Sequence, residues 1–390
     1  MKRIVLLGST GSIGESALHV ASALPDRVRI VGLAVQRGYR RALEQAARFD
    51  VKHVAVLEAE AARRCAAEAP PGVRVHAGES GLEEVAALQA ADLVLCAVVG
   101  LAGLKPVLAA LRARHDVALA TKEVLVAAGQ VVTETAARQG CRILPVDSEH
   151  SAIFQCLTGR GGDPGAARSA DDIRRLLLTA SGGPFAFRPE VDLEAVTPAT
   201  ALDHPRWSMG RKVTIDSATM MNKGLEIMEA HWLFGVPVAQ IEVLLHPESI
   251  VHSLVEFCDG SVLAQLSKPD MRFAIQYALT WPAHVPGGLP SLDLAAAGNL
   301  HFAKPDERRF PCLGLARRAA ECGGTLPAAL NAANEIAVQR FLDGRIRFPQ
   351  IWGAVERVMD KHDGVRHPSL DDVLEADAWA RRVASEWCGK

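Results

Sequence analysis

The segment Pro145-Val146-Asp147-Ser148-Glu149-His150 sets two carboxylates around a serine, directly after the short apolar, strand-like run Cys141-Arg142-Ile143-Leu144. Strand alternation puts Asp147 and Glu149 on one side, since residues i and i+2 line one face. Two carboxylates that close repel unless a proton or cation lies between them. Oxygen donors of this charge suit Mg²⁺ or Mn²⁺ in a near-octahedral site completed by substrate or water. The plainer reading makes Asp147 the N-cap of a helix over Ser148–Leu157, with Glu149 in its first turn.

A second chemical stretch runs from Val213 to Glu226. Ser217, Asn222 and Lys223 offer hydroxyl, amide and ammonium donors, a set that suits a phosphate monoester. Glu226 and Glu229 share one helix face, and an ordinary helix with surface glutamates accounts for at least one of them. Upstream, Ala180-Ser181-Gly182-Gly183 follows a strand over Ile173–Thr179 and makes an anion nest plausible. Residues 186–212 carry Pro189, Pro198 and Pro205, with His204, Trp207 and Met209 close together. Trp207 and Met209 on so long a loop suit a mobile lid that closes on an apolar ring. His252, on an alternating strand, reads as a core or supporting histidine.

The elements that position these groups begin at the N-terminus. Residues 3–7 form an apolar run, as in a buried parallel strand. Gly8-Ser9-Thr10-Gly11-Ser12-Ile13-Gly14 and a helix over Glu15–Leu24 follow. Strand, glycine turn and helix are the setting in which a dinucleotide pyrophosphate meets backbone N–H groups. The spacing is G-x-x-G-x-x-G, a variant of the usual fingerprint, and a structural tight turn is the bland alternative. The second strand, Arg29–Val35, ends at Gln36-Arg37-Gly38 without the acid that takes a ribose 2′-hydroxyl in NAD sites. Guanidinium groups there favour a 2′-phosphate and hence NADP, with Arg37 the best-placed partner; Arg40 and Arg41 read as a solvated helix face.

Strand and helix go on alternating, with strands over His53–Leu57, Val73–His76, Asp92–Val98 and Val117–Ala120 and helices over Ala59–Glu68, Val107–Arg114 and Val124–Gln139. Thr121-Lys122-Glu123 lies at a strand's carboxyl end, where open α/β sheets bind ligands. Gly159 to Gly165 reads as a surface loop. Ile241–Leu245 and Ser261–Ser267 are strands, Pro282 to Pro290 is rich in Pro and Gly, and helices over Leu313–Glu321, Leu326–Leu342, Phe348–Lys361 and Leu370–Trp387 form a small bundle, most simply structural. The fold class is α/β, with an N-terminal Rossmann-type dinucleotide-binding domain over 1–146, a central α+β catalytic domain over 147–285, a linker over 286–310 and a C-terminal helical bundle over 311–390.

Composition sets the outer bounds. Length 390 accommodates several domains, and 49% hydrophobic with 23% charged residues is an ordinary globular balance. A formal net charge of −2 gives no case for nucleic acid or an anionic membrane as partner. The eight cysteines are scattered singly, which argues for free thiols in a reducing compartment. The first apolar run is too short for a signal peptide or a membrane span, so a cytoplasmic location is expected.

Taken together, these motifs resemble the 1-deoxy-D-xylulose 5-phosphate reductoisomerase family along essentially the whole chain. The residues that carry the resemblance are Gly8 to Gly14, Val146-Asp147-Ser148-Glu149-His150-Ser151, Ser181-Gly182-Gly183-Pro184-Phe185, Asp203-His204-Pro205-x-Trp207-x-Met209-Gly210, Asn222-Lys223-Gly224-Leu225-Glu226 and Leu330-Asn331-Ala332-Ala333-Asn334-Glu335. The resemblance implies that Asp147, Glu149 and Glu226 hold a divalent metal. It implies that Ser181, Ser217, Asn222 and Lys223, with His204 of the lid, hold the substrate phosphate, and that Ser148 and Lys122 contact the substrate's other oxygens. Lys122, Glu149, His204 and Glu226 are the implied catalytic set. Thr10, Gly11, Ser12 and Ile13, with Gln36, Arg37, Gly38, Thr121, Glu123 and Gly210, line the implied NADPH site. Two positions depart from the family: Thr121 replaces the usual Asn, and Gly38 follows Arg37 where Asn is frequent.

The implied reaction is a retro-aldol/aldol rearrangement of a sugar phosphate followed by hydride transfer from NADPH, with the metal as Lewis acid. The family acts in non-mevalonate isoprenoid biosynthesis as a homodimer. A plain metal-dependent NADP dehydrogenase accounts for the nucleotide and metal residues but not for a skeletal rearrangement; a catalytically silent NADPH-binding protein leaves the carboxylate set unexplained.

Overall fold

The computed structural model describes residues 1–158, 172–207 and 209–389. The expected loop from Gly159 to Gly165 lies outside the described residues.

Seven short strands form the first sheet: β1 (Lys2–Leu7), β2 (Val28–Val35), β3 (His53–Val56), β4 (Arg74–Ala77), β5 (Leu93–Cys96), β6 (Asp116–Leu119) and β7 (Ile143–Pro145). Their order is β4-β3-β2-β1-β5-β6-β7, and every neighbouring pair is parallel. Leu6 pairs with Leu33 on one side and Leu95 on the other, and all three are buried. Apolar side chains on both faces are what a parallel sheet covered by crossover helices requires. The order reverses between β1 and β5, which is where a doubly wound sheet opens a ligand crevice at its carboxyl edge.

Four strands form the second sheet, in the order β11-β10-β8-β9: β8 (Ile173–Ala180), β9 (Ile241–Leu245), β10 (Val251–Phe257) and β11 (Val262–Leu266). β8 and β9 run parallel and finish together, Ala180 opposite Leu245, so Ser181 and His246 emerge side by side.

The region 186–212, expected as loop, holds a turn of 3₁₀ helix at Leu193–Ala195 and a short helix at Pro198–Ala201 with a Thr197/Thr200 capping box. Among the described residues, helices not expected from the sequence are present at Gly78–Ala86, Arg211–Ala218 and Arg272–Thr280. Residues 286–310 contain a helical turn at Leu294–Ala297 and an antiparallel bridge from Ala303 to Leu245, so this linker lies along the edge of β9.

The C-terminal helices Cys312–Cys322, Leu326–Leu342, Gln350–Lys361 and Leu370–Cys388 do not stand apart. Met221, Leu225 and Met228 share a core with Leu330, Ala333, Val355 and Ala380. Phe341, Phe348 and Ile351 pack with Leu176 and Leu178 of β8. The bundle therefore supports the helices that carry the chemical residues. Among the described residues no helix is long and apolar enough to cross a membrane.

Candidate active site

The glycine turn is built for close approach. Gly8 has φ +89°, and a Cβ there would lie 2.5 Å from the Ala97 carbonyl oxygen; one on Gly14 would lie 2.3 Å from that of Gly8. Only glycine lets the β1 turn, the β5 loop and the helix Ser12–Ala23 meet so tightly. That helix starts at Gly11 with no side-chain cap, leaving N–H groups free for an anion. At the end of β2, Arg40 pairs with Glu68 and Arg41 with Glu15 and Glu44, as expected of a surface face. Gln36, Arg37 and Gly38 are exposed, and among the described residues no ion pair engages Arg37. A Cβ on Gly38 would come 3.3 Å from Thr10 Oγ1, so the residue after Arg37 stands against the glycine turn.

The Thr121 hydroxyl donates to the Val98 carbonyl at 2.6 Å, so it ties the β5 loop to the start of the next helix. That helix, Lys122–Gln139, begins ahead of the expected Val124 start, and it brings Lys122 and Glu123 into the protein.

The carboxylate cluster forms as expected, but by a different route. β7 ends at Pro145 and a helix runs over Ser148–Thr158, so strand alternation does not align Asp147 with Glu149. The chain turns from strand to helix between them. Asp147 occupies the N-cap position, its carbonyl accepting from the Ser151 N–H at 2.8 Å, while its carboxylate lies 2.6 Å from Lys122 Nζ. The cap position and the chemical role coincide.

Asp147, Glu149 and Glu226 bring ligand oxygens within 4.8 Å of one another. Two ammonium groups hold this charge together. Lys122 Nζ is 2.9 Å from Glu226 Oε1; Lys223 Nζ is 2.7 Å from Glu149 Oε1 and also contacts Glu226 Oε2. Asn222 bridges the two sides, accepting from Lys122 at 2.9 Å and donating to Glu226. Ser148 Oγ donates to Glu149. Burial opposes the charge on Lys122, but Asp147 and Glu226 outweigh it and hold the ammonium well above its ordinary range. Burial, then Glu149, pushes Glu226 up against the pull of both lysines. Crowded oxygen donors of one sign are the electrostatic signature that a divalent cation relieves.

The expectation that at least one of Glu226 and Glu229 is a surface glutamate is corrected: both are 0% exposed. The helix Met221–Phe234 is enclosed on all sides by the bundle, β8, β9 and the Lys122–Gln139 helix. Glu229 Oε2 lies 3.3 Å from His150 Nδ1, and His150 Nε2 donates to the Glu226 carbonyl at 2.9 Å. Asp147, His150 and Glu229 also converge, behind the open cluster.

The anion nest lies opposite. Gly182 and Gly183 take φ +85° and +57°, which turns backbone toward the cavity after β8. His204 Nδ1 accepts from the Arg206 and Trp207 N–H groups at 3.2 and 2.9 Å, which leaves the proton of the neutral ring on Nε2. Nε2 then donates to Ser181 Oγ at 3.0 Å, and the Gly183 N–H donates to the same oxygen. The Ser181 hydroxyl proton remains free for an incoming anion. Burial lowers the His204 pKa and favours this neutral form.

A cavity of about 240 Å³ unites these groups. Its lining includes Ser12 and Ile13 beside the glycine turn, Trp207, Met209 and Gly210, and Ser217, Asn222 and Lys223. Arg206 Nε donates to the Pro247 carbonyl at 3.0 Å, which ties the chain beside Trp207 to the turn after β9.

Sequence reasoning missed several wall residues. His246 accepts from the Ile250 and Val251 N–H groups, Ser249 sits at φ +53°, and Met271 lines the cavity. The parallel pairing of β8 with β9, which delivers His246, leaves no local mark in the sequence. His252 donates to or accepts from Ser267 Oγ at 2.9 Å, and burial depresses its pKa to about 4.

A doubly wound sheet whose glycine turn shares a cavity with a carboxylate–lysine cluster and an anion nest defines a nucleotide-dependent enzyme for a phosphorylated substrate. Three family models match this chain: 1-deoxy-D-xylulose 5-phosphate reductoisomerase over residues 4–129, its C-terminal domain over 143–234, and a DXP reductoisomerase C-terminal domain over 266–383. The chain belongs to the 1-deoxy-D-xylulose 5-phosphate reductoisomerase family. The enzyme of that name from Symbiobacterium thermophilum is 54% identical over 390 residues, covering 99% of this chain and 98% of its own. That from Pelotomaculum thermopropionicum is 51% identical over 392 residues, covering 98% and 97%. The Zymomonas mobilis reductoisomerase solved with NADPH superposes with a TM-score of 0.90 at 40% identity, covering 99% of each chain. A reductoisomerase solved with NADPH, fosmidomycin and magnesium gives 0.94 at 40% identity, covering 100% of this chain and 98% of its own.

Proposed function

We propose that this protein converts 1-deoxy-D-xylulose 5-phosphate to 2-C-methyl-D-erythritol 4-phosphate with NADPH and Mg²⁺ or Mn²⁺, in non-mevalonate isoprenoid biosynthesis. The observation that carries the reading is the convergence of Asp147, Glu149 and Glu226 in one cavity with Ser217, Asn222 and Lys223. The three carboxylates are the metal ligands. The metal, when bound, supplies Lewis acidity to the substrate's oxygens, and NADPH supplies the hydride.

The chain's own residues bind, orient and shield. Ser181, Ser217, Asn222 and Lys223 take the phosphate, with His204 alongside, its Nε2–H orienting the Ser181 hydroxyl. Binding energy gathered at that remote group holds the reacting carbons in place. Lys122, between Asp147 and Glu226, and Ser148, beside Glu149, face the other substrate oxygens. Thr10, Gly11, Ser12 and Ile13 receive the pyrophosphate, Gln36, Arg37 and Gly38 the 2′-phosphate, and Thr121, Glu123 and Gly210 the nicotinamide side. In this division residues 1–146 bind the nucleotide, 147–285 carry the chemistry, 286–310 connect, and 311–390 brace the catalytic helices.

Turnover is tested by following NADPH oxidation with each component omitted in turn. Oxidation that requires both the sugar phosphate and the metal supports the reading; oxidation without either one contradicts it.

Arg37→Ala is expected to weaken NADPH by roughly 10- to 150-fold, the worth of a charge-assisted hydrogen bond, and to leave NADH nearly unchanged. Fluorescence titration with both nucleotides decides this. Equal losses would show that Arg37 does not read the 2′-phosphate.

The strap that carries Trp207 and Met209, within the expected 186–212 loop, acts as a lid that closes over substrate. Limited proteolysis should show protection across residues 200–212 on adding NADPH and a substrate analogue; unchanged cleavage counts against a lid. We read the working form as a cytoplasmic homodimer. Its support is the family likeness and the edge strand β11, which exposes Val262 and Leu263.

A further inference from the structure

The Leu330–Glu335 motif lies on a helix that packs against the helices Arg211–Ala218 and Lys122–Gln139, and no step above uses it. Asn334, 0% exposed on the helix Leu326–Leu342, donates to Asp216 Oδ1 at 2.8 Å. Asp216 Oδ2 is 2.8 Å from Lys212 Nζ, and Lys212 Nζ is 2.9 Å from Glu123 Oε1. Four side chains from three helices thus make one polar line, buried at Asn334, Asp216 and Glu123 and partly exposed at Lys212, from the C-terminal bundle through the helix Arg211–Ala218 to the first turn of Lys122–Gln139.

Stability does not account for this line. Two enclosed carboxylates share one ammonium, and apolar packing of the same volume would serve the core as well or better. The well-attested use of such a network is to fix register between elements. The register at stake is visible. Lys212 precedes Val213 and lies two residues past Gly210 at the end of the strap, Asp216 precedes Ser217, and Glu123 follows Lys122. Each link therefore abuts a residue of the cavity wall.

We propose that Lys212 is a positioning residue, a latch that holds the strap's end and the phosphate serine of one helix against the cofactor-side turn of another, with Asn334 anchoring it. The proposal rests on the reductoisomerase reading of the cavity. Lys212 touches no substrate; it sets where Gly210 and Ser217 stand relative to Lys122 and Glu123.

The test is the double variant Lys212→Met/Asp216→Asn in the full-length enzyme. It removes the cation and one acid together, so the enclosed formal charge stays the same. The KM for the sugar phosphate and the Kd for NADPH should both rise about tenfold, with a smaller fall in kcat. Lys212→Arg, which keeps a cation between the acids, should remain within about threefold of the unaltered enzyme in both. A purely structural role would lower the active fraction, and so kcat, without moving KM or Kd. Constants within about twofold of the original, or a loss confined to kcat, overturn the latch. If the double variant does not fold, Asn334→Leu is read in the same assays: a rise of about threefold in both constants supports the latch and no change overturns it. Unaltered enzyme runs alongside; its failure to convert the substrate would refute the functional reading itself, whereas normal binding by the variants refutes only the latch.

Discussion

Asp147→Asn and Glu226→Gln are each expected to lose conversion of 1-deoxy-D-xylulose 5-phosphate by roughly 100-fold or more, yet to titrate with NADPH as the unaltered protein does. Each amide keeps the shape of the acid while removing a charge and weakening a metal ligand. Preorganised electrostatic stabilisation of charge that develops during reaction is worth about 3–4 kcal/mol. Glu226 is the more exacting case. It is 0% exposed and receives Lys122, Lys223 and Asn222 at once, so an amide at this position leaves donors without acceptors as well as removing charge. NADPH binding should be spared, because the proposed assignment places the nucleotide on the glycine turn and residues 36–38, away from these acids. The Mg²⁺ concentration for half-maximal activity should rise in both variants. Normal turnover by both would remove the metal assignment.

Lys223→Met separates the phosphate site from the metal site. Without substrate, Lys223 pairs with Glu149 and Glu226, while Ser217 and Asn222 border the same cavity. Loss of one charge-assisted bond to the phosphate should raise KM by roughly 10- to 150-fold. The metal requirement should not rise. The ammonium competes with a cation for Glu149 and Glu226, so its removal leaves the ligands more available. The opposite pattern, a higher Mg²⁺ requirement with an unchanged KM, would make Lys223 a brace for the carboxylates and not a phosphate donor.

What the sequence revealed depended on how local each signal was. The β1 turn and its glycines are contiguous, so the nucleotide crevice was legible from types and spacing alone. The acids at 147 and 149 were legible as a pair, but the strand rule invoked for them fails, since the chain turns into a helix after β7. Glu226 joined them only through the family resemblance, because no local pattern links positions so far apart. Glu229 was misread for a physical reason. In the helix Met221–Phe234, residues from Met221 to Ala230 are buried on every side except at Asn222, so no exposed face was available to sort one glutamate from the other. His246 depends on the parallel pairing of β8 and β9, and Met271 on the helix Arg272–Thr280, which glycine- and proline-rich neighbours obscured. In the C-terminal bundle, Asn331 and Asn334 lie among alanines at buried positions, a signal that this helix docks on polar partners within the protein.

The central claim is that one cavity both rearranges a carbon skeleton and reduces the product. Its most direct test is carbon connectivity in the product. The unaltered enzyme is given ¹³C-labelled 1-deoxy-D-xylulose 5-phosphate, NADPH and Mg²⁺, and the product is read by carbon–carbon couplings before and after exhaustive chelation. The account predicts the branched skeleton of 2-C-methyl-D-erythritol 4-phosphate, one NADPH oxidised for each molecule formed, and no product once the metal is removed. A straight-chain polyol phosphate formed at the expense of NADPH, or a branched product formed undiminished after chelation, would contradict it.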